Sequence, residues 1–198
     1  MTKTALTPAA VIERAAALAD ADGLTAVTLA AVARSLDVQT PSLYTHVRDI
    51  AALRDGVTVV ALDTLSDLIT EAIAGRSARD ALDGFAAAHR TMVQEHPGLW
   101  EALQRTAGPD AVASPAARRV VRLTDAVLLG YDIAAADRTH AIRIVGGALN
   151  GFLTLERLGS FAHSAPPAED SWGELLDSLH FLLTTWNTRG QARGRTTT

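Results

Sequence analysis

Gln39, Thr40, Ser42, Tyr44, Thr45 and His46 fall within eight residues of one another, and each carries neutral hydrogen-bonding groups suited to holding another polymer. Gln39 or Thr40 can bond a base edge, and Pro41 beside them can pack on a thymine methyl. Ser42, Tyr44, Thr45 and His46, with Thr28 upstream, have hydroxyl and imidazole groups of the kind that hold phosphates. Other chemistries find fewer residues. His89 and His96 are seven apart, a poor spacing for imidazoles that must approach one ion to about 2 Å, and Pro97 breaks the helix beside them. No metal site is expected. The chain has no cysteine, which excludes disulfides, thiolate ligands and a cysteine nucleophile. It has no Gly-x-Ser-x-Gly and no glycine-rich phosphate loop. No catalytic residue is assigned, no cofactor is expected, and the chain is not read as an enzyme.

The polar residues need two short helices to present them. Thr28 can N-cap the first by accepting from an unpaired first-turn amide. Leu29, Val32, Ala33 and Leu36 then recur at helical spacing. Asp37 and Val38 make the turn, where aspartate tolerates the positive φ that glycine usually supplies. The second helix begins near Gln39 or Thr40, with Pro41 in its first turn. Leu43 and Val47 point inward and leave the polar residues outside. An apolar back and a small-polar front fit the DNA major groove.

Residues 28–47 resemble the helix-turn-helix of the tetracycline-repressor (TetR) family. Thr28, Ala33 and the run Leu43-Tyr44-Thr45-His46-Val47 carry the resemblance. It implies a three-helix DNA-binding part, with Thr28, Gln39, Thr40, Pro41, Ser42, Tyr44, Thr45 and His46 at the operator. Many relatives add a lysine at the start of the fourth helix. Ile50 stands there in this chain, and Arg48 is the substitute two residues earlier. A second stretch, residues 148–161, is similar through Gly151, Leu155, Glu156, Gly159 and Phe161 to a TetR subgroup named for a Trp-His-Gly motif. Asn150 replaces the histidine, and no tryptophan precedes it. As in family members, Phe85, His89, Met92, Trp100, Leu103, Phe152 and Trp172 would line an effector cavity, with His89, Arg143 and Asn150 as its polar groups and Arg143 as a buried anchor.

The 198 residues are 48% hydrophobic and 20% charged, enough to bury a sizeable core. No strand pattern or repeat appears. The fold is read as all-α with about nine helices: residues 8–22, 29–36, 39–47, 50–74, 78–95, 99–105, 115–129, 134–161 and 171–188. Residues 106–114 read as a loop, and the tail from Arg189 as disordered. Residues 1–48 are taken as the DNA-binding domain and 49–198 as the effector-binding and dimerisation domain. Trp172, Leu175, Leu176, Leu179, Leu182, Leu183 and Trp186 form a stripe too wide for one terminal helix. With Gly146, Gly147 and Gly151 on the preceding helix they predict a homodimer. No apolar run spans a membrane and no signal peptide is apparent, so a cytoplasmic protein is expected.

Charge opposes the DNA reading. Residues 1–55 hold Lys3, Arg14, Arg34, Arg48 and Arg54 against Glu13, Asp20, Asp22, Asp37, Asp49 and Asp55. Phosphate binding normally supplies most non-specific affinity, so these acids must be turned away or neutralised. The reading is a ligand-responsive repressor of transcription. Its alternatives are a ligand-independent activator or architectural DNA-binding protein, and an all-α carrier or enzyme with a vestigial helix-turn-helix.

Overall fold

Thr7 and Pro8 start the first helix as their residue types predict. The Thr7 hydroxyl accepts from the Ala10 amide at 3.1 Å, and Pro8 occupies a first-turn position that needs no N–H. The computed structural model describes residues 6–187. Among them are ten helices and no strand: α1 Pro8–Asp22, α2 Leu29–Ser35, α3 Thr40–Leu43, α4 Ile50–Ile73, α5 Ala78–Glu95, α6 Pro97–Gln104, α7 Pro109–Val112, α8 Pro115–Leu128, α9 Arg138–Arg157 and α10 Ala168–Thr184. A 3-10 turn, Leu24–Ala26, joins α1 to α2. The all-α expectation holds. The tail from Arg189 lies outside the described residues.

Several boundaries differ from the periodicity, each for a local reason. The stretch read as a loop contains α7, which Pro109 opens. The helix expected over 134–161 ends at Arg157. Gly159 stands at φ 74, and the amides of Gly159 and Ser160 reach back to the carbonyls of Glu156 and Leu155 at 2.9 and 3.0 Å. That is a glycine-closed helix end. α10 starts three residues early, with Glu169 and Asp170 in its first turn, where negative side chains suit the helix dipole.

The chain forms two compact units. One holds the residues up to Ser66 together with Met92–Val120, and the other holds Asp67–Thr91 together with the residues from Val121 on. In the first unit Val11, Ala15 and Ala19 of α1, Val27, Val32, Ala33, Leu43, Val47, and Leu53 and Val57 of α4 are buried. α6 packs on α1 at backbone distance. A Cβ built on Gly98 would lie 1.9 Å from the Ala19 carbonyl oxygen. Asp20 of α1 serves as an N-cap for α6 from outside the helix. One carboxylate oxygen accepts from the Leu99 amide and the other meets His96 Nδ1, both at 2.8 Å. Glu101 of α6 accepts from the Leu24 amide at 3.0 Å. Arg105 donates to Asp55 of α4 at 2.7 Å, and the same carboxylate accepts from the Gly108 amide at 3.2 Å.

In the second unit two arginines of α5 hold the C-terminal helices. Arg79 pairs with Asp83 and with Asp177 of α10. Arg90 bonds Glu156 of α9 at 2.8 Å and Glu169 of α10 at 2.7 Å, and its guanidinium lies 4.9 Å from the centre of the Trp172 ring. Phe152 stacks near both Phe161 and Trp172, with ring centres 5.0 and 5.3 Å away. Ala141, Val145, Leu149 and Leu153 form the buried stripe of α9.

Candidate nucleic-acid interface

α2 and α3 carry the polar residues on a fixed frame. Thr28 caps α2, its hydroxyl accepting from the Ala31 amide at 3.1 Å. Asp37 takes φ 55 at the turn. The amides of Asp37 and Val38 close α2 on the carbonyls of Arg34 and Ala33 at 3.2 and 3.0 Å, the pattern that glycine usually completes. α3 is shorter than expected. Its α-helical bonding ends at Leu43, and Tyr44 and His46 continue as turns through amide bonds to Pro41 and Leu43. Thr45 competes for the backbone there, its hydroxyl donating to the Ser42 carbonyl at 2.8 Å.

The division into front and back follows the spacing. Leu43 and Val47 are buried. Thr28, Gln39, Pro41, Ser42, Tyr44 and Thr45 are exposed, and Thr40 and His46 are half-buried. Gln39, Thr40 and Ser42 form one side of a shallow concavity, and Ala30, Ala33 and Arg34 of α2 form the other. Arg48 stands beyond α3 with its side chain 81% exposed. Asp49 anchors it at 3.0 Å while capping α4 through the Ala52 amide at 2.7 Å. The Ala52 amide, then the Arg48 guanidinium, holds the Asp49 carboxyl below its usual range, and Asp49 in turn raises Arg48.

Three of the six acids counted against DNA binding are compensated inside the chain. Asp20 takes Leu99 and His96, Asp49 takes Ala52 and Arg48, and Asp55 takes Arg105 and Gly108. Sequence spacing gave no signal of these partners, because two of the three sets come from a distant segment.

The effector residues divide. Phe85, His89, Met92 and Trp100 are buried, and Leu103, Asn150 and Phe152 are half-buried. Phe85, His89 and Met92 follow one face of α5. Arg143 is exposed, which corrects its reading as a buried anchor. It sits two residues from Ala141 and Val145, about 200° around α9 from the buried stripe. Asn150 donates to the Gly146 carbonyl at 2.7 Å. His89 Nδ1 faces the Phe85 carbonyl at 2.8 Å, so that nitrogen carries the proton of the neutral ring. Burial pushes His89 down to about 4. His96 instead serves the Asp20 junction. Among the described residues no group of three or more His, Asp or Glu side chains could hold a metal ion.

The dimer residues divide too. Trp172, Leu176, Leu179 and Leu183 are buried against their own chain, which corrects their assignment to an outward face. Leu175, Leu182 and Trp186 are half-buried, and Gly147 and Gly151 are exposed. Periodicity overlooked the residues that complete the outward surface: Ile144 and Leu155 on α9, Leu158 just past it, and Phe181 on α10, the last two 71% and 70% exposed.

Among the described residues no helix is long and apolar enough to cross a membrane. Residues 82–179 match the family described as tetracyclin repressor-like, C-terminal domain; that description does not name the Trp-His-Gly subgroup. The chain is 31% identical to the uncharacterized HTH-type transcriptional regulator Rv0681 of Mycobacterium tuberculosis, over 75% of this chain and 69% of that one. It is 30% identical to YobS, an uncharacterized HTH-type transcriptional regulator of Bacillus subtilis, over 91% of each. In fold it resembles BioQ of Mycobacterium smegmatis, with a TM-score of 0.70, 21% identity, and 91% of this chain and 99% of that one covered. BioQ with its double-stranded DNA operator gives a TM-score of 0.65 at 20% identity, covering 89% and 99%.

Proposed function

The chain belongs to the TetR family of helix-turn-helix transcriptional regulators, and on that premise we propose that it is a one-component repressor, released from its operator by a small molecule and acting in the cytoplasm as a homodimer. Residues 1–48 are its DNA-binding part, and 49–198 bind the effector and the second copy. One observation carries the DNA reading: α2 and α3 hold Leu43 and Val47 behind a front of polar side chains, most of them exposed.

Gln39, Thr40 and Pro41 lead α3 and read bases, while Thr28, Ser42, Tyr44, Thr45, His46 and Arg48 hold the backbone. The two sets fail differently. Thr40→Ala costs on the order of 1–3 kcal/mol on the cognate site and relaxes its preference there. Tyr44→Phe removes one hydroxyl and weakens all sequences about equally. Titration of both variants on cognate and scrambled duplexes at matched salt checks this. A change of sequence preference in Tyr44→Phe, with uniform weakening in Thr40→Ala, would mean that α3 faces the groove the other way.

Repression needs two copies, so that two α3 helices meet successive major grooves. Ile144, Gly147, Gly151 and Leu155 of α9, with Phe181 of α10, supply an apolar face for that partner. Sedimentation at micromolar concentration is expected to give a dimer, and Phe181→Glu a shift toward monomer. A wild-type monomer under those conditions removes the interface.

The effector binds within residues 49–198, with Phe85 and His89 of α5 among its contacts. It releases DNA only if it prefers the conformation with the wrong groove spacing. Asp20 and Gly98 tie α6 to α1, and Glu101 ties it to the turn between α1 and α2, so a displacement of α6 moves the helices that hold α2 and α3.

A further inference from the structure

Residues 6–55 hold four cations, and three of them have work inside the chain. Arg14 donates to the Ser35 carbonyl at 3.1 Å, Arg54 donates to the Val27 carbonyl at 3.2 Å, and Arg48 is anchored by Asp49. Arg34 differs. It is exposed in the last turn of α2, and its guanidinium makes no hydrogen bond or ion pair among the described residues. It lines the same concavity as Gln39, Thr40 and Ser42. We infer that Arg34 is a second phosphate-binding cation of the operator surface, and that Arg34 and Arg48 supply the ionic part of DNA binding contributed by residues 6–55.

This rests on the DNA-binding reading. The assignment to phosphate follows from position. α3 presents Gln39 to Pro41 at its leading end, whereas Arg34 belongs to the preceding helix, one turn behind Ala30, where the backbone flanking the groove passes. Asp37 lines the same concavity with the opposite charge. The surface is therefore built mainly of neutral donors and helix ends with few cations, and its binding depends weakly on salt.

Counterion release gives that statement a number. A dimer using these two cations per protomer neutralises four phosphates, which contributes roughly −3.6 to the slope of log K against log salt. The measurement is fluorescence anisotropy between about 50 and 200 mM salt, on a duplex that the full-length protein selects from a random-sequence pool and on a scrambled duplex. Arg34→Gln should flatten the slope by about 1.8 and weaken both duplexes alike. Arg34→Lys should restore the slope, since a phosphate accepts either cation. Urea midpoints of the variants should match the wild type.

Several results overturn the inference. An unchanged slope in Arg34→Gln removes Arg34 from the phosphates. A loss confined to the selected duplex makes it a base reader. A lowered urea midpoint with an unchanged slope makes it a charge that merely complements the end of α2. A wild-type slope far shallower than predicted defeats the two-cation inventory. If the wild type binds no duplex at the lowest salt, the DNA reading falls and this inference falls with it; intact wild-type binding with an unmoved Arg34→Gln slope removes Arg34 alone.

Discussion

Gly98→Ala is expected to destabilise the first unit by about 3 kcal/mol, the upper end of what overpacking does, and to weaken operator binding at the same time. The new Cβ would lie 1.9 and 2.1 Å from the Ala19 carbonyl oxygen and carbon and 2.6 Å from the Asp20 nitrogen. All three are backbone atoms, so no rotamer change relieves the overlap, and α6 must move off α1. Moving it also breaks the Asp20 bonds to Leu99 and His96. Gly173→Ala is the control, because nothing lies within 4 Å of the methyl it adds in α10. There the change should be neutral or stabilising by about 0.5–1 kcal/mol, since alanine is the better helix former. Urea midpoints of the two variants check the pair. Equal midpoints would mean that the α1–α6 junction yields freely, and it could then not carry movement to the DNA.

The second large effect is loss of stability in mild acid. An ordinary histidine titrates near 6.5, whereas burial holds His89 at about 4 in the fold. The unfolded chain therefore takes up a proton that the folded chain refuses. The sign follows directly. The contribution of the neutral ring is full well above pH 6.5 and is lost as the pH falls from there toward 4. The loss amounts to about 2 kcal/mol by pH 5 and about 3 kcal/mol by pH 4. His89→Leu removes the titration, so its urea midpoint should fall less between pH 7 and pH 5 than that of the wild type. Parallel pH profiles would place the proton uptake on other groups.

The residues that the sequence placed well are those whose partners are local. Thr28 caps its helix three residues away, as Thr7 and Asp49 cap theirs, and Asp37 adopts the positive φ that its turn requires. Leu43 and Val47 face inward because helical spacing alone decides it. The stop at Gly159 was equally local, and the longer reading of α9 overlooked it. Other features have no local signal. Pro97-Gly98 reads as a chain break, yet Gly98 is the point where two backbones meet. Asp20 and Asp55 look like surface acids until α6 and the residues after it supply their partners. Arg143 and the stripe on α10 were misplaced for a related reason. A mid-helix arginine or a broad row of leucines shows that a helix has faces, but which face the rest of the chain covers is a tertiary fact.

The bonds from Asp20 to Leu99 and from Leu24 to Glu101 span 79 and 77 residues, and this bears on how the protein is made. At about 5–20 residues per second, the ribosome needs roughly 4–16 s to synthesise the distance between these partners. During that interval α1, α2 and α3 have emerged while the helix that completes their unit has not. The nascent DNA-binding segment waits with the Leu24 amide and the Asp20 carboxylate facing water, and with the α1 surface around Ala19 uncovered. A chain that stops before α6 would thus be released with the Asp20 and Leu24 junctions unmade.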